Sequence, residues 1–204
     1  MSKRFLLSSL AVFLVFSSAA YADPAVMTHM QGEVVVVHED GKTEPASVGM
    51  QVSAGDSIKT GTASQADVSI NGEAGVRVLE STSIGIESTE ADMKVSLEIG
   101  NVIANLKKKL SENASFELQT PAAVLAVRGT QFWGRADVPE GMPRATFAVR
   151  RGSVKVLAKK TGESFTIEEG KAIEIPLADT KTQVRSALPE ELAALEQADG
   201  ITIR

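Results

Sequence analysis

The sequence contains no cysteine among its 204 residues. That excludes disulfides, thiolate zinc sites, iron–sulfur clusters, cysteine nucleophiles and lipid attachment to an N-terminal cysteine. Histidine is nearly as scarce, at two residues, so a metal site built from several imidazoles is excluded as well. A basic excess is also missing: 21 lysines and arginines face 26 acidic residues, a formal charge of −5. Nucleic acid is therefore not expected as a partner, because neutralising phosphates takes surplus cations. Aromatic residues make up 4% of the chain, too few for exposed stacking platforms. Hydrophobic residues nevertheless reach 43%, an ordinary share for a chain that folds around a core.

One long apolar run is present, at the start. Lys3 and Arg4 precede residues 5–16 (FLLSSLAVFLVF), and Ser17-Ser18-Ala19-Ala20-Tyr21-Ala22 follows with an A-x-A ending. A basic start, an apolar middle and a small-residue end are the three parts of a secretory signal peptide. The run is shorter than the ~20 residues a spanning helix needs, so no stable transmembrane anchor is expected. Residues 1–22 read as a leader cut between Ala22 and Asp23. Losing Lys3 and Arg4 with it takes the formal charge from −5 to −7. The remaining aromatics are Phe116, Phe132, Phe147, Phe165 and Trp133.

Beyond the leader, helical periodicity is rare and short β-rich runs dominate. They fall at 33–38, 51–58, 66–70, 75–79, 83–87, 94–97, 101–106, 115–120, 124–127, 131–135, 144–150, 153–157, 164–167 and 171–175. Turn signals such as Asp40-Gly41, Asn71-Gly72, Thr161-Gly162 and Glu169-Gly170 separate them. In Ala66-Asp67-Val68-Ser69-Ile70 the apolar residues alternate, which buries one face of a strand and wets the other. Such spacing predicts an all-β body. A weak repeat favours stacked β-coils: Gly32-x-Val34 and Gly152-x-Val154 each start a strand, then come a hairpin turn and an apolar-x-x-Gly-x-x-apolar turn. Gly100-x-Val102 repeats the first part.

The C-terminal end differs. Pro176 closes the strand pattern, and residues 186–196 read as a short helix with Pro189 in its first turn and Leu188, Leu192 and Leu195 on one side. A tail helix docked on apolar β-surface is the expectation. The organisation is then leader 1–22, β domain 23–178 and tail 179–204.

The most distinctive segment is residues 116–132 (FELQTPAAVLAVRGTQF). Thr120-Pro121 breaks a strand, since proline lacks a donor and holds its predecessor extended. Residues 122–127 are wholly apolar and are expected to be buried on both faces. Arg128 ends that run, and its donors call for backbone carbonyls or a carboxylate. Thr120, Pro121, Arg128, Gly129 and Thr130 are accordingly assigned to fold integrity.

This segment resembles the signature of the FecR domain family, Thr-Pro-x-Ala followed by Val-Arg-Gly-Thr-x-Phe. Further matches run in order: Gly32-x-Val34, the stretch from Gly49 to Gly61, Leu97-x-x-Gly100-x-Val102, Val149-Arg150-x-Gly152-x-Val154 and Ile167-x-x-Gly170. The resemblance spans residues 31–175. It implies a twisted, β-solenoid-like stack of short strands in the bacterial periplasm. In the regulators that name the family, the domain passes an iron-siderophore signal from an outer-membrane receptor to a sigma factor. Here only four residues precede the apolar run, leaving no room for a cytoplasmic anti-sigma segment. After Ile175 a strand-poor tail stands where a receptor-docking domain would be. The module is therefore expected, and the anti-sigma role is not.

No catalytic constellation emerges, and neither a cofactor nor a metal is expected. His29 and His38 have no acidic or nucleophilic motif around them, and His38 reads as part of a solvated hairpin turn. The acidic pairs at turns lack calcium-loop spacing. Positive charge is more suggestive. Arg135, Arg144, Arg150 and Arg151 flank the loop 137–143, and Lys107-Lys108-Lys109 sits at a strand end. The four arginines are either a solvated face with local salt bridges or a patch for an anionic partner. The expected function is a non-enzymatic binding or scaffold module of the cell envelope, recognising a periplasmic or outer-membrane protein or an envelope glycan. The alternative is a periplasmic accessory in envelope signalling.

Overall fold

The computed structural model describes residues 25–176 and 182–204. Among them are the strands β1 (Ala25–Gln31), β2 (Val34–Val37), β3 (Thr43–Pro45), β4 (Gln51–Val52), β5 (Ser57–Thr60), β6 (Gln65–Ile70), β7 (Ala74–Val78), β8 (Ser83–Ser88) and β9 (Asp92–Leu106). They continue with β10 (Ser115–Gln119), β11 (Ala123–Val127), β12 (Gln131–Asp137), β13 (Arg144–Arg151), β14 (Ser153–Ala158), β15 (Ser164–Glu168), β16 (Lys171–Ile175) and β17 (Val184–Ser186). One helix follows, α1 (Pro189–Glu196). The leader reading (1–22) and the expected body–tail boundary at 178/179 lie outside the described residues.

Strand pairing gives two rows. One runs β4-β1-β6-β7-β9-β12-β13-β16-β17. The other runs β3-β2-β5-β8-β9-β10-β11-β14-β15. All contacts are antiparallel except β9–β10. Strand β9 belongs to both rows, its first half pairing with β8 and β10 and its second with β7 and β12. Neither row closes on itself. The body is therefore mostly β with one short C-terminal helix, as the sequence predicts. The pairing establishes that much and does not establish a solenoidal coil.

Alternation decides which side chains fill the space between the rows. In β14, Val154, Val156 and Ala158 are buried while Ser153, Lys155 and Leu157 are exposed. The same rule sends Phe116 and Leu118 of β10 inward, where Phe116 meets Phe132 of β12 from the other row at 6.2 Å between tilted rings. One cluster of aliphatic residues and Phe116, Phe132 and Phe147 joins both rows. Removing a fully buried phenylalanine from such a core costs ~3–5 kcal/mol.

The chain crosses between rows at glycine corners, and here the weak repeat has a physical basis. Gly32, Gly100 and Gly152 all have positive φ. Each packs against a hydroxyl residue from another corner, and a Cβ would meet Ser64, Thr82 or Thr130 at 2.3, 2.2 and 3.2 Å respectively. Each hydroxyl donates to the carbonyl two residues before it, of Thr62, Glu80 and Arg128. The Ser64 and Thr82 hydroxyls also accept the N–H of the residue after the glycine, Glu33 and Asn101.

Several expectations need correction. The runs 94–97 and 101–106 are one continuous strand, because Gly100 bends β9 without ending it. Residues 51–58 instead split into β4 and β5, since Ser53-Ala54-Gly55-Asp56 turns, with the Ser53 N–H donating to Asp56 Oδ2. The apolar run 122–127 is buried on one face only: Ala126 is exposed and Val124 half-buried, because β11 lies in the row whose outer face is uncovered. The helix starts at Pro189 rather than residue 186, the intervening residues forming β17 and a cap. Strands β1, β3 and β17 have no counterpart among the predicted runs.

The tail docks on the outer face of the β4–β17 row. Leu195, Ala198 and Ile201 pack on Ile103, Ala148 and Ala172, with Trp133 and Leu79 alongside. Gly75 admits the last residues, since a Cβ there would lie 2.6 Å from Ile201 Cγ2. Beyond them the Arg204 N–H donates to Ser69 Oγ, which donates back to the Arg204 carbonyl at 3.0 Å. This row is covered on its outer side; the other is bare among the described residues.

Candidate functional site

The signature segment builds a hairpin and a corner. In the β10–β11 turn the Thr120 N–H donates to the Ala123 carbonyl at 2.8 Å, and the Ala123 N–H donates to Thr120 Oγ1 at 2.9 Å. Thr120 is buried, and Pro121 takes the exposed second position, where its missing donor is not needed. At the corner after β11, Thr130 is fully buried; its hydroxyl lies within hydrogen-bonding distance of the Arg128 and Ser153 carbonyls, at 3.1 and 3.2 Å. Its own carbonyl accepts the Leu106 N–H. Gly129, with φ of 66°, lies against the segment leaving β9.

Arg128 behaves differently from its neighbours. It is exposed and has neither an ion pair nor a side-chain hydrogen bond among the described residues. The expected carbonyl or carboxylate partner is not there. Arg128 instead lines a shallow groove of about 560 Å³ on the bare row, together with Lys108, Lys155, Ser153, Thr166, Ala126, Val127 and Val154. Register explains the grouping: Ala126 stands opposite Lys155, and Lys155 opposite Thr166. The corner then brings in Arg128 and Lys108. Three cations and two hydroxyls meet over an aliphatic floor, and no carboxylate lines the groove. The nearest acidic residues by register are Glu117, opposite Ala126, and Glu168, opposite Ser153. Sequence reading noted Lys108 only as part of a lysine run and passed over Lys155. The alternation of Val154 and Val156 was the available signal that Lys155 points outward.

The four arginines singled out from sequence separate into two pairs. Arg135 and Arg144 share Asp137 near the β12–β13 hairpin loop, Arg144 by two bonds of 2.9 and 2.8 Å. The Arg144 guanidinium chiefly, with Arg135 contributing, holds the Asp137 carboxyl below the usual carboxylate range against the opposing effect of burial. Glu174 also lies near Arg144, at 3.7 Å. Six or seven residues away along the strands, about 20 Å, Arg150 and Arg151 serve the tail and a neighbouring strand. Arg150 meets Asp199 at 2.8 Å and the Leu195 carbonyl at 3.3 Å. Arg151 donates to the Leu106 carbonyl at 3.1 Å. Asp199 also accepts from buried Gln131 at 2.9 Å, and this bond first, then Arg150, lowers its pKa.

A second polar cluster surrounds His38. Its Nε2 lies 2.9 Å from Glu44 Oε1 and its Nδ1 3.2 Å from Asp56 Oδ1. The Glu44 bond, followed by that to Asp56, raises the imidazole pKa from its ordinary 6.5. Both ring nitrogens face carboxylate oxygens, so the fully bonded form is the imidazolium. The cluster closes the turns around β2, β3 and β5. Among the described residues no group of three or more His, Asp or Glu side chains is placed to hold a metal ion. No helix among them is long and apolar enough to cross a membrane.

Comparison with known proteins agrees with this geometry. The family model described as FecR protein matches residues 56–155, inside the span 31–175 on which the sequence resemblance rests. Two solved structures of a candidate anti-sigma factor from Parabacteroides distasonis are similar in fold, each with a TM-score of 0.57 and 18% identity. Each alignment covers 69% of this chain and 64% of the other, so this chain spans less than two-thirds of their length. No curated protein matches.

Proposed function

We propose that this chain, whose residues 56–155 match the FecR family model, is an exported, non-enzymatic binding or scaffold module of the bacterial cell envelope. The observation that carries this reading is the inequality of the two outer faces. One row is sealed by the chain's own tail through Leu195, Ala198 and Ile201. The other is bare among the described residues and holds the groove, whose three cations have no ion pair among them. Free cations beside exposed aliphatics such as Ala126 and Leu157 suit recognition of a partner more than chemistry. We read the joint advance of both rows along the chain as a short, irregular solenoid. The leader at residues 1–22 would deliver the module to the periplasm.

A second reading is an accessory in envelope signalling, favoured by the fold similarity to a candidate anti-sigma factor. The two readings separate by experiment. A photo-crosslinking residue at Leu157, on the bare row, is expected to capture a defined envelope partner in intact cells. The same residue at Leu192, on the tail, is expected to capture none. Capture only from Leu192 sinks the binding-face reading. A changed transcriptional response on deletion, without stable capture, favours the accessory.

A further inference from the structure

We propose that the groove at the β11–β14–β15 surface receives an extended acidic segment of a partner protein. The proposal rests on the binding-module reading and adds the chemistry of the partner. Lys108, Arg128 and Lys155 converge there without an ion pair or side-chain hydrogen bond among the described residues. On a chain with a formal charge of −5, a carboxylate-free cluster of three cations stands out against its own surroundings. By contrast, Arg77, Arg135, Arg144, Arg150 and Arg185 all meet carboxylates. Partnerless cations attract anions over a Debye length, ~8–10 Å in ordinary salt, and bind them by charge-assisted hydrogen bonds.

Three features favour a peptide over a glycan. No aromatic ring lines the groove; Trp133 lies under the tail on the opposite side of the molecule. Sugar rings would have nothing to stack on. The floor is aliphatic, from Ala126, Val127 and Val154. The spacing also suits an extended chain. Arg128 is two residues beyond Ala126, the register partner of Lys155, which is near the diagonal cross-strand separation of ~7–8 Å. Alternate side chains of an extended peptide repeat at about 6.5–7 Å, so a Glu-x-Glu pair meets both cations. The hydroxyls of Ser153 and Thr166 sit between them and the end of the row.

The test uses the exported chain and a fluorescein-labelled ten-residue peptide of alternating glutamate and serine, followed by fluorescence anisotropy. Saturable binding is expected, weakening between 50 and 200 mM salt as counter-charges are screened, about as the Debye length shortens. Arg128→Glu and Lys155→Glu are each expected to weaken it at least tenfold, and the milder Lys155→Gln severalfold. Melting temperature should hold, because these side chains make no ion pair or hydrogen bond among the described residues. Arg135→Glu should bind as the parent does. Equal binding by all variants would overturn the proposal, as would a uronate polysaccharide or inorganic phosphate binding as tightly with the same variant sensitivity. Failure of peptide binding alongside specific capture from Leu157 would remove the acidic-segment proposal and leave the binding-module reading standing.

Discussion

The backbone of Gly129 passes so close to the carbonyl oxygen of Lys108 that a Cβ at position 129 would lie 2.6 Å from it. The contact pins the end of β9 to the corner between β11 and β12. It also places Lys108 and Arg128, 20 residues apart in the chain, on one groove. The glycine of the signature thus serves the fold and at the same time brings the two cations together.

Gly129→Ala is expected to destabilise the protein by ~1–3 kcal/mol, through the positive φ and the clash with backbone that cannot swing away. Urea unfolding monitored by far-UV circular dichroism measures it. Gly162→Ala is the control: its φ is also positive, at 71°, but nothing lies within 4 Å of a Cβ there, so the smaller cost isolates the packing contribution.

Arg77 and Asp67 form a bidentate pair with both bonds at 2.7 Å, and Asp67 is 2% exposed. Arg77→Ala should cost ~3 kcal/mol or more, because it strands a buried carboxylate. Combining Arg77→Leu with Asp67→Asn should recover most of that loss. If the double variant is no more stable than Arg77→Ala in chemical denaturation, the pair is not the source of the cost.

The single tryptophan reports on the tail. Trp133 is half-buried beside Leu195, Ala198 and Ile201. Leu195→Ala is expected to lose ~2–5 kcal/mol of stability. Asp199→Ala, which removes the acceptor for Gln131 and Arg150, should move Trp133 emission to longer wavelength at low denaturant, before the β-body unfolds. Coincident loss of tryptophan and far-UV signals would mean that tail and body unfold as one unit.

His38 predicts a pH dependence with a definite sign. Its folded pKa is raised by Glu44 and then Asp56, so the folded state holds the proton more tightly than the unfolded chain. The contribution is complete below the ordinary value of 6.5 and is lost as pH rises through the raised folded value. The parent should therefore lose stability relative to His38→Gln as pH rises above about 6.5. Urea midpoints between pH 5 and 9 test this. A difference that grows in the opposite direction would show that the carboxylates do not stabilise the imidazolium.

Legibility followed the range of each signal. Residues 153–157 and 66–70 could be assigned to strands because alternation is written into five consecutive residues, but the side of β6 expected to be wet is buried, Asp67 against Arg77 and Ser69 against the tail at Arg204. Very short β3 and β17 lack the length to show a period, and the alternation of β1 is brief. Gly100 stands between two apolar runs, and a glycine there has the same local appearance whether the chain reverses or bends. Only the hydroxyl of Thr82, 18 residues earlier, makes it a bend. The same limit governs the candidate site: the lysine run was visible, but Lys155 was one outward residue among many.

What the sequence determined by itself was local and compositional: no cysteine chemistry, and strands whose alternation marks a core-facing side. It also carried the family signature. What the tertiary structure decided was which charges are paired and which have no partner among the described residues. Arg135, Arg144, Arg150 and Arg151 are engaged by Asp137, Glu174, Asp199 and the Leu106 carbonyl, whereas Lys108, Arg128 and Lys155 meet over one groove. Alternation depends on the next residue but one, so it survives in the linear chain. Pairing of charges depends on which strands become neighbours, and that is settled only when the two rows close over their shared core.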